Sequence, residues 1–170
     1  MKLHAFQVGQ LVSFSELGRQ LGLSTDTVIS YIDLLSKVFV IFHLPGFSKN
    51  LSKEITKNRK IYFYDLGIRN AIIDNFSMPG SRPDTGQLWE NFVIVERIKR
   101  NHYLRQYFTP FFWRTYTGAE LDYVELSAEL AGFEIKYGSK DKKALKSWVQ
   151  NYKEASYTCF NKNNYLDFLT

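Results

Sequence analysis

Apolar residues in this chain recur at helical spacing, switch to extended runs, and repeat that switch after a stretch of turn formers, an order that admits little but a mixed α/β fold. The first helical signal opens at Ser13, with Glu16 three residues later. At that spacing a hydroxyl and a carboxylate satisfy each other's backbone donors. Val12 and Leu17 stand at hydrophobic-staple spacing around this cap, and Gly22 offers a stop. Ser24 then caps a second helix, with Leu23 and Val28 as its staple pair. An apolar stripe of Val28, Tyr31, Ile32, Leu35 and Val38 leaves Thr25, Thr27, Ser30 and Asp33 toward solvent. Two helices around a short Gly-containing turn form the skeleton of a helix-turn-helix, whose second helix can enter a major groove.

Beyond Val38 the β-branched and aromatic run through Leu44, ended by Pro45-Gly46, predicts a strand, and Lys60-Ile-Tyr-Phe-Tyr64 predicts another. Between Lys49 and Lys60 the chain carries Lys49, Lys53, Lys57, Arg59 and Lys60 against only Glu54. Helix, helix, strand, basic loop, strand is the order of a winged helix-turn-helix. Thr25 and Thr27 on the second helix, with Lys49, Lys53 and Lys57 on the wing, are the candidate DNA contacts. The same skeleton also serves as a packing or dimerisation unit, because fold does not dictate function.

Asp65 is the expected cap of a further helix ending at Ile73. Residues 76–86, rich in turn and breaker types, read as a linker between a first domain (1–75) and a second (87–170). In the second, Leu88, Phe92, Val95 and Ile98 mark a helix over Gln87–Arg100. Strands are expected at 111–115, 120–126 and 132–137, a polar helix at about 142–154, and closing strands near 157–160 and 165–169, giving the order α-β-β-β-α-β.

Composition narrows the function classes. With 45% hydrophobic and 23% charged residues, disorder and coiled coil are poor descriptions. No run approaches the roughly 18 apolar residues of a membrane span, and the first residues are too few and too polar for a signal peptide, so the expected location is cytoplasmic. Cys159 is the only cysteine, which excludes an internal disulfide. A net charge of +5 repels no anionic partner. His4, His43 and His102 lack metal-ligand spacing. Tyr62, Tyr64, Trp89 and Trp113 sit in apolar patterns that favour core packing over base stacking. Arg69 and Arg114 suit either a phosphate or a bridge between the two halves.

Chemistry concentrates in two adjoining strands. Strict alternation places Glu120, Asp122 and Val124 on one face of the first, opposite Leu121, Tyr123 and Glu125. In the second strand, Glu134 and Lys136 share the face opposite Phe133, Ile135 and Tyr137. An odd-length turn around Ser127–Glu129 would set Asp122 across from Glu134. Facing carboxylates repel unless a cation lies between them, and a divalent ion there makes a hard oxygen site. Mg²⁺ or Mn²⁺ on Asp122 and Glu134, with Glu90 preferred over Glu96 as a supporting ligand and Lys136 beside the attacking water, suits phosphodiester hydrolysis. A solvated face on which Lys136 merely pairs with Glu134 or Asp122 explains the same residues on motif chemistry alone.

Glu90 on a helix, Asp122 on a strand, and Glu134-Ile-Lys136 on the next strand resemble the PD-(D/E)xK phosphodiesterases, with their restriction-endonuclease-like fold. Tyr31–Phe42, Lys60–Asn70, Leu88–Val93, Phe112–Thr115, Gly118–Tyr123 and Phe133–Lys136 resemble, in order, the C-terminal region of bacterial and archaeal AAA-type ATPases known as domain of unknown function 4143. Leu121 stands where some members of the superfamily have proline. The resemblance implies a winged helix and a nuclease-like domain placed behind a P-loop ATPase domain. G-x-x-x-x-G-K-[ST] occurs nowhere here, so no ATP site is expected in these residues. The expected function is thus a DNA-binding, Mg²⁺-dependent endonuclease module of such an ATPase, with catalytic residues Asp122, Glu134, Lys136 and Glu90. The alternative is a non-catalytic regulatory or interaction module with an inactive nuclease fold. DNA and the ATPase domain are the expected partners, a homodimer is admissible, and no membrane is involved.

Overall fold

The computed structural model describes residues 7–49 and 58–170. Strand β1 (Leu11–Val12) precedes helices α1 (Phe14–Leu21) and α2 (Thr25–Lys37), followed by β2 (Ile41–Pro45), β3 (Arg59–Phe63) and α3 (Leu66–Ile73). Helix α4 (Thr85–Tyr103) leads into β4 (Thr109–Arg114), β5 (Glu120–Leu126) and β6 (Leu130–Ile135). Helix α5 (Lys146–Asn151), β7 (Ser156–Phe160) and α6 (Tyr165–Leu169) complete the chain. The mixed α/β class expected from the patterning is the one observed.

Local chemistry explains the helix starts. Ser13 accepts from Glu16 N, Ser24 accepts from Thr27 N at 3.1 Å, and Asp65 accepts from Ile68 N at 2.9 Å, each satisfying a donor that the helix itself leaves free. Gly22 ends α1 at φ 67°, a left-handed conformation that a Cβ would strain. In the first sheet the order is β1-β3-β2, all antiparallel, so β3 is central: Lys60 pairs with Leu11 on one side and Leu44 on the other. The second sheet runs β4-β5-β6-β7. Its first three strands are antiparallel, and α5 provides the crossover that lets β7 run parallel to β6.

The two sheets are tied together. Phe47 N donates to the carbonyl of Phe112 at 2.7 Å, and the buried Asn91 of α4 closes both backbone groups of Phe63 with two 2.8 Å bonds. One apolar core runs through both halves, from Val28 and Ile32 through Phe63, Ile94 and Phe112 to Phe133 and Phe168. A second core gathers Trp113, Leu121, Val124, Trp148 and Tyr152 on the other side of the large sheet. Gly132 makes it fit: a Cβ there would stand 2.6 Å from Leu121 Cδ1 and 2.7 Å from the Trp148 ring.

Several expectations are corrected. Residues 165–169 form helix α6, because Tyr165, Phe168 and Leu169 pack at helical spacing, with Phe168 stacked on Phe160 at 4.3 Å. The polar helix is confined to Lys146–Asn151. Strict alternation fails in β5, since Leu121 and Val124 enter the same core. A β-bulge is responsible: β5 advances from Val124 to Leu121 while β4 advances only from Phe111 to Trp113. Tyr31 and Val38 of the expected α2 stripe are exposed, whereas Val28 and Ile32 are buried. Lys53 and Lys57 lie outside the described residues, as does His4. Among the described residues no helix is long and apolar enough to cross a membrane.

Candidate functional site

The β5–β6 hairpin pairs Tyr123 with Phe133 and Leu126 with Leu130, the register that sets Asp122 opposite Glu134. Asp122 is locked there by the backbone, its Oδ2 accepting from Ile135 N at 2.8 Å. Lys136, just beyond β6, reaches back with its Nζ 2.6 Å from Glu134 Oε1 and 3.5 Å from Asp122 Oδ2. Lys142 also lies 2.6 Å from Glu134 Oε1. Glu134 Oε2 is buried and, among the described residues, has no hydrogen-bond partner. The structure therefore brings Asp122, Glu134 and Lys136 together, and leaves one carboxylate oxygen open.

Glu90 approaches from α4 and Lys60 from β3. The Tyr62 hydroxyl donates to Glu90 Oε1 at 2.6 Å, and Lys60 Nζ is 3.3 Å from the same oxygen. Lys60 also pairs with Glu120 and lies 3.8 Å from Asp122 Oδ1, while Glu120 Oε2 accepts from Arg114 at 2.8 Å. Glu96, the competing helix carboxylate, is turned outward and pairs with Lys99. Of the basic candidates, Arg69 is buried against Asp84 at 2.6 Å, so it serves as a structural tie.

Sequence reasoning missed Lys60 as a site residue, counting it at the end of the basic stretch and as the first residue of a strand. The available signal was its position: a lysine opening an otherwise apolar strand, on the same face as Tyr62. Lys142 and Glu120 were missed for a different reason, since only the fold brings a loop and a strand end to Glu134 and Lys60.

Burial shapes the charges. Desolvation works against the Lys60 ammonium, but Glu90, Asp122 and Glu120 outweigh it and hold its pKa above the usual lysine value. Lys136 behaves alike: desolvation is overcome by Asp122 and by the hydrogen bond to Glu134, so it stays charged. Burial pushes the Glu90 carboxyl up to about 7, the Asp122 charge adds to this, and Lys60 and Tyr62 oppose it without cancelling it. Folded Glu90 consequently keeps a proton between about pH 4.5 and 7 that the unfolded chain would release. Its contribution to stability falls as pH rises through that window, by about 3–4 kcal/mol at most, at roughly 1.4 kcal/mol per pKa unit. Urea unfolding of wild type and Glu90→Gln at pH 5 and pH 8 checks the sign: the wild type should lose more stability than the variant on going to pH 8. An unchanged difference between the two proteins would refute the assignment.

The DNA-contact candidates are spread out. Thr25 is exposed at the start of α2, but Thr27 is occupied by its cap, with Oγ1 at 2.8 Å from Ser24 Oγ. Lys49 lies on the surface and its backbone N–H donates to the Tyr152 hydroxyl. Helix α2 carries Asp26 and Asp33 against Lys37, and Lys37 is paired to Asp33 at 2.7 Å.

The donor types at Asp122 and Glu134 fit a hard divalent cation, and the unpartnered Glu134 Oε2 is the open valence such an ion would take. Among the described residues, however, no group of three or more His, Cys, Asp or Glu side chains is placed to hold a metal. Any ion would thus rest on two carboxylates.

No curated protein and no solved structure matches the chain. Family models match its halves separately, so the likeness to DUF4143 does not extend to the phrases from Tyr31 to Asn70. Residues 1–78 match a domain of unknown function, DUF8612, and residues 85–166 match the domain of unknown function DUF4143, the family that the phrases from Leu88 to Lys136 resemble.

Proposed function

We propose that this chain carries a metal-dependent phosphodiesterase centre of the restriction-endonuclease-like type, acting on DNA as a module of an AAA-type ATPase. The observation that carries this reading is the convergence of Asp122, Glu134 and Lys136 around a buried, unpartnered carboxylate oxygen. Asp122 and Glu134 would hold the ion, and Mg²⁺ or Mn²⁺, when bound, supplies Lewis-acid polarisation of a phosphoryl oxygen. Lys136 remains an ammonium, so its role is to donate hydrogen bonds and stabilise the charge that develops on the phosphoryl group. Lys142, paired with the same Glu134 oxygen, adds a second cation there.

A second reading is favoured by two observations. Glu90, Glu120, Asp122 and Glu134 already face Lys60, Lys136, Lys142 and Arg114 as ion pairs. Leu21, Leu23, Tyr31, Leu34, Val38 and Phe39 are exposed on and around the α1–α2 unit, an apolar surface suited to a protein partner. In that reading the chain is a regulatory interaction module.

Cleavage of plasmid and branched DNA, with and without Mg²⁺, separates the two. A centre of this kind predicts metal-dependent nicking that falls at least about a hundredfold in Asp122→Asn, since losing a ligand forfeits several kcal/mol of charge stabilisation. Wild-type protein that neither cuts DNA nor binds the ion would leave the interaction module as the function.

A further inference from the structure

The connection from the end of β6 into α5 is strongly basic: Lys140, Lys142, Lys143 and Lys146 stand there against Asp141 alone. Lys140, Lys143 and Lys146 are exposed, and none of the three forms an ion pair among the described residues. Nearby carboxylates are engaged elsewhere, Glu134 with Lys136 and Lys142, and Asp141 as acceptor from Asn161 Nδ2 at 2.7 Å. Lys162 extends this charge to Tyr137, its Nζ 3.4 Å from the centre of the ring. Uncompensated cations gathered in this way favour an anionic partner. Tyr137 also lines a cavity of about 350 Å³, formed with α3, α4 and the connection that joins them. Its other walls include Trp89, which meets Tyr137 edge-on at 5.9 Å, together with Phe76 and Met78, which are 68% and 76% exposed.

We infer that single-stranded DNA is held here, its phosphates on Lys140, Lys143, Lys146 and Lys162 and one unstacked base in the cavity against Tyr137 and Phe76. This rests on the reading of the chain as acting on DNA and deepens it by naming the form of the substrate. Cations that track a backbone, beside flat rings that accept any base, are the two parts of single-strand recognition. A base inside a duplex has to leave its stack before it can enter such a recess, a cost that an unpaired base does not carry. Lys136 and Tyr137 are consecutive, so a strand with a base in the cavity passes the edge at which Asp122 and Glu134 converge. Helix α2 offers a phosphate backbone much less, since it carries Asp26, Asp33 and a Lys37 already paired with Asp33.

Fluorescence anisotropy of a labelled strand of about 12 thymidines, a length within the usual single-strand site sizes, tests this on the full chain with EDTA present. The strand should bind more tightly than a duplex of the same length. It should also bind more tightly, by about fivefold or more, than an abasic strand with the same phosphates, the difference made by one stacked base. Phe76→Ala, at an exposed position, should cut that preference at least by half. Replacing Lys140, Lys143 and Lys146 together by Ala should flatten the slope of log K against log salt by about 2, at roughly 0.7 per phosphate contact on a single strand. Thr25→Ala and Lys49→Ala should change neither quantity. Tighter binding to the duplex, equal binding to the abasic strand, an unchanged preference in Phe76→Ala, an unchanged slope in the lysine variant, or a loss confined to Thr25→Ala or Lys49→Ala would each overturn the inference while leaving the DNA reading standing. No binding to any of the three DNAs would overturn both.

Discussion

Lys60→Met is expected to cost about 3–5 kcal/mol of folding stability, the range seen when one member of a buried ion pair is removed and its partners are left uncompensated. Glu90, Glu120 and Asp122 would then face one another with their shared cation gone. Arg114 still holds Glu120, Lys136 still lies near Asp122, and Glu90 can take up a proton, so the chain can relieve part of the strain. Guanidinium unfolding at pH 8 measures the loss. It should shrink toward pH 5, where protonation of Glu90 removes part of the charge that Lys60 had balanced. Lys37→Met is the control, because Lys37 and Asp33 form an exposed pair and such pairs contribute about 0–1 kcal/mol. Equal effects from the two variants would show that the buried cluster is not organised by Lys60.

Trp148→Ala should be as damaging for an unrelated reason. The ring is fully buried, meets Trp113 edge-on at 5.2 Å and Tyr152 at 4.6 Å, and covers the bare backbone of Gly132. Deleting it leaves a cavity bounded by the rigid β5–β6 ladder, which has little freedom to collapse, and large-to-small aromatic truncations of this kind cost about 3–5 kcal/mol. Thermal unfolding followed by near-ultraviolet circular dichroism reports both the stability and the loss of ring packing. A cost below about 1 kcal/mol would mean that the second core contributes little.

Much of the architecture was legible because local chemistry decided it. Ser13, Ser24 and Asp65 announced three helix starts through side-chain oxygens that the backbone needs there, and each is a cap in the fold. The β5 bounds were read residue for residue, and the hairpin register followed from the parity of its turn. Where reading by period failed, a tertiary contact had overridden it. The bulge in β5 carries Leu121 and Val124 onto one face, and residues 165–169 coil because Phe168 finds Phe133 and Phe160. The bulge leaves no mark within its own segment, whereas the helical spacing of Tyr165, Phe168 and Leu169 was there to be read.

The candidate site divides along the same line. Asp122 and Glu134 belong to two adjoining strands joined by a short turn, with Lys136 just past the second, so their proximity followed from the hairpin register even though strict alternation fails in β5. Glu90 could be proposed from a helix but not given its partners. Lys60, Tyr62, Glu120 and Lys142 entered the cluster only when β3, α4, β5 and a loop were packed against one another. The amino-acid sequence by itself determined which elements form, where they start and which residues share a strand face, because these depend on neighbours a few positions away. Only the tertiary structure decided that a wing-side lysine would be buried among three carboxylates, because the free energy of a buried charge depends on every group around it, however distant along the chain.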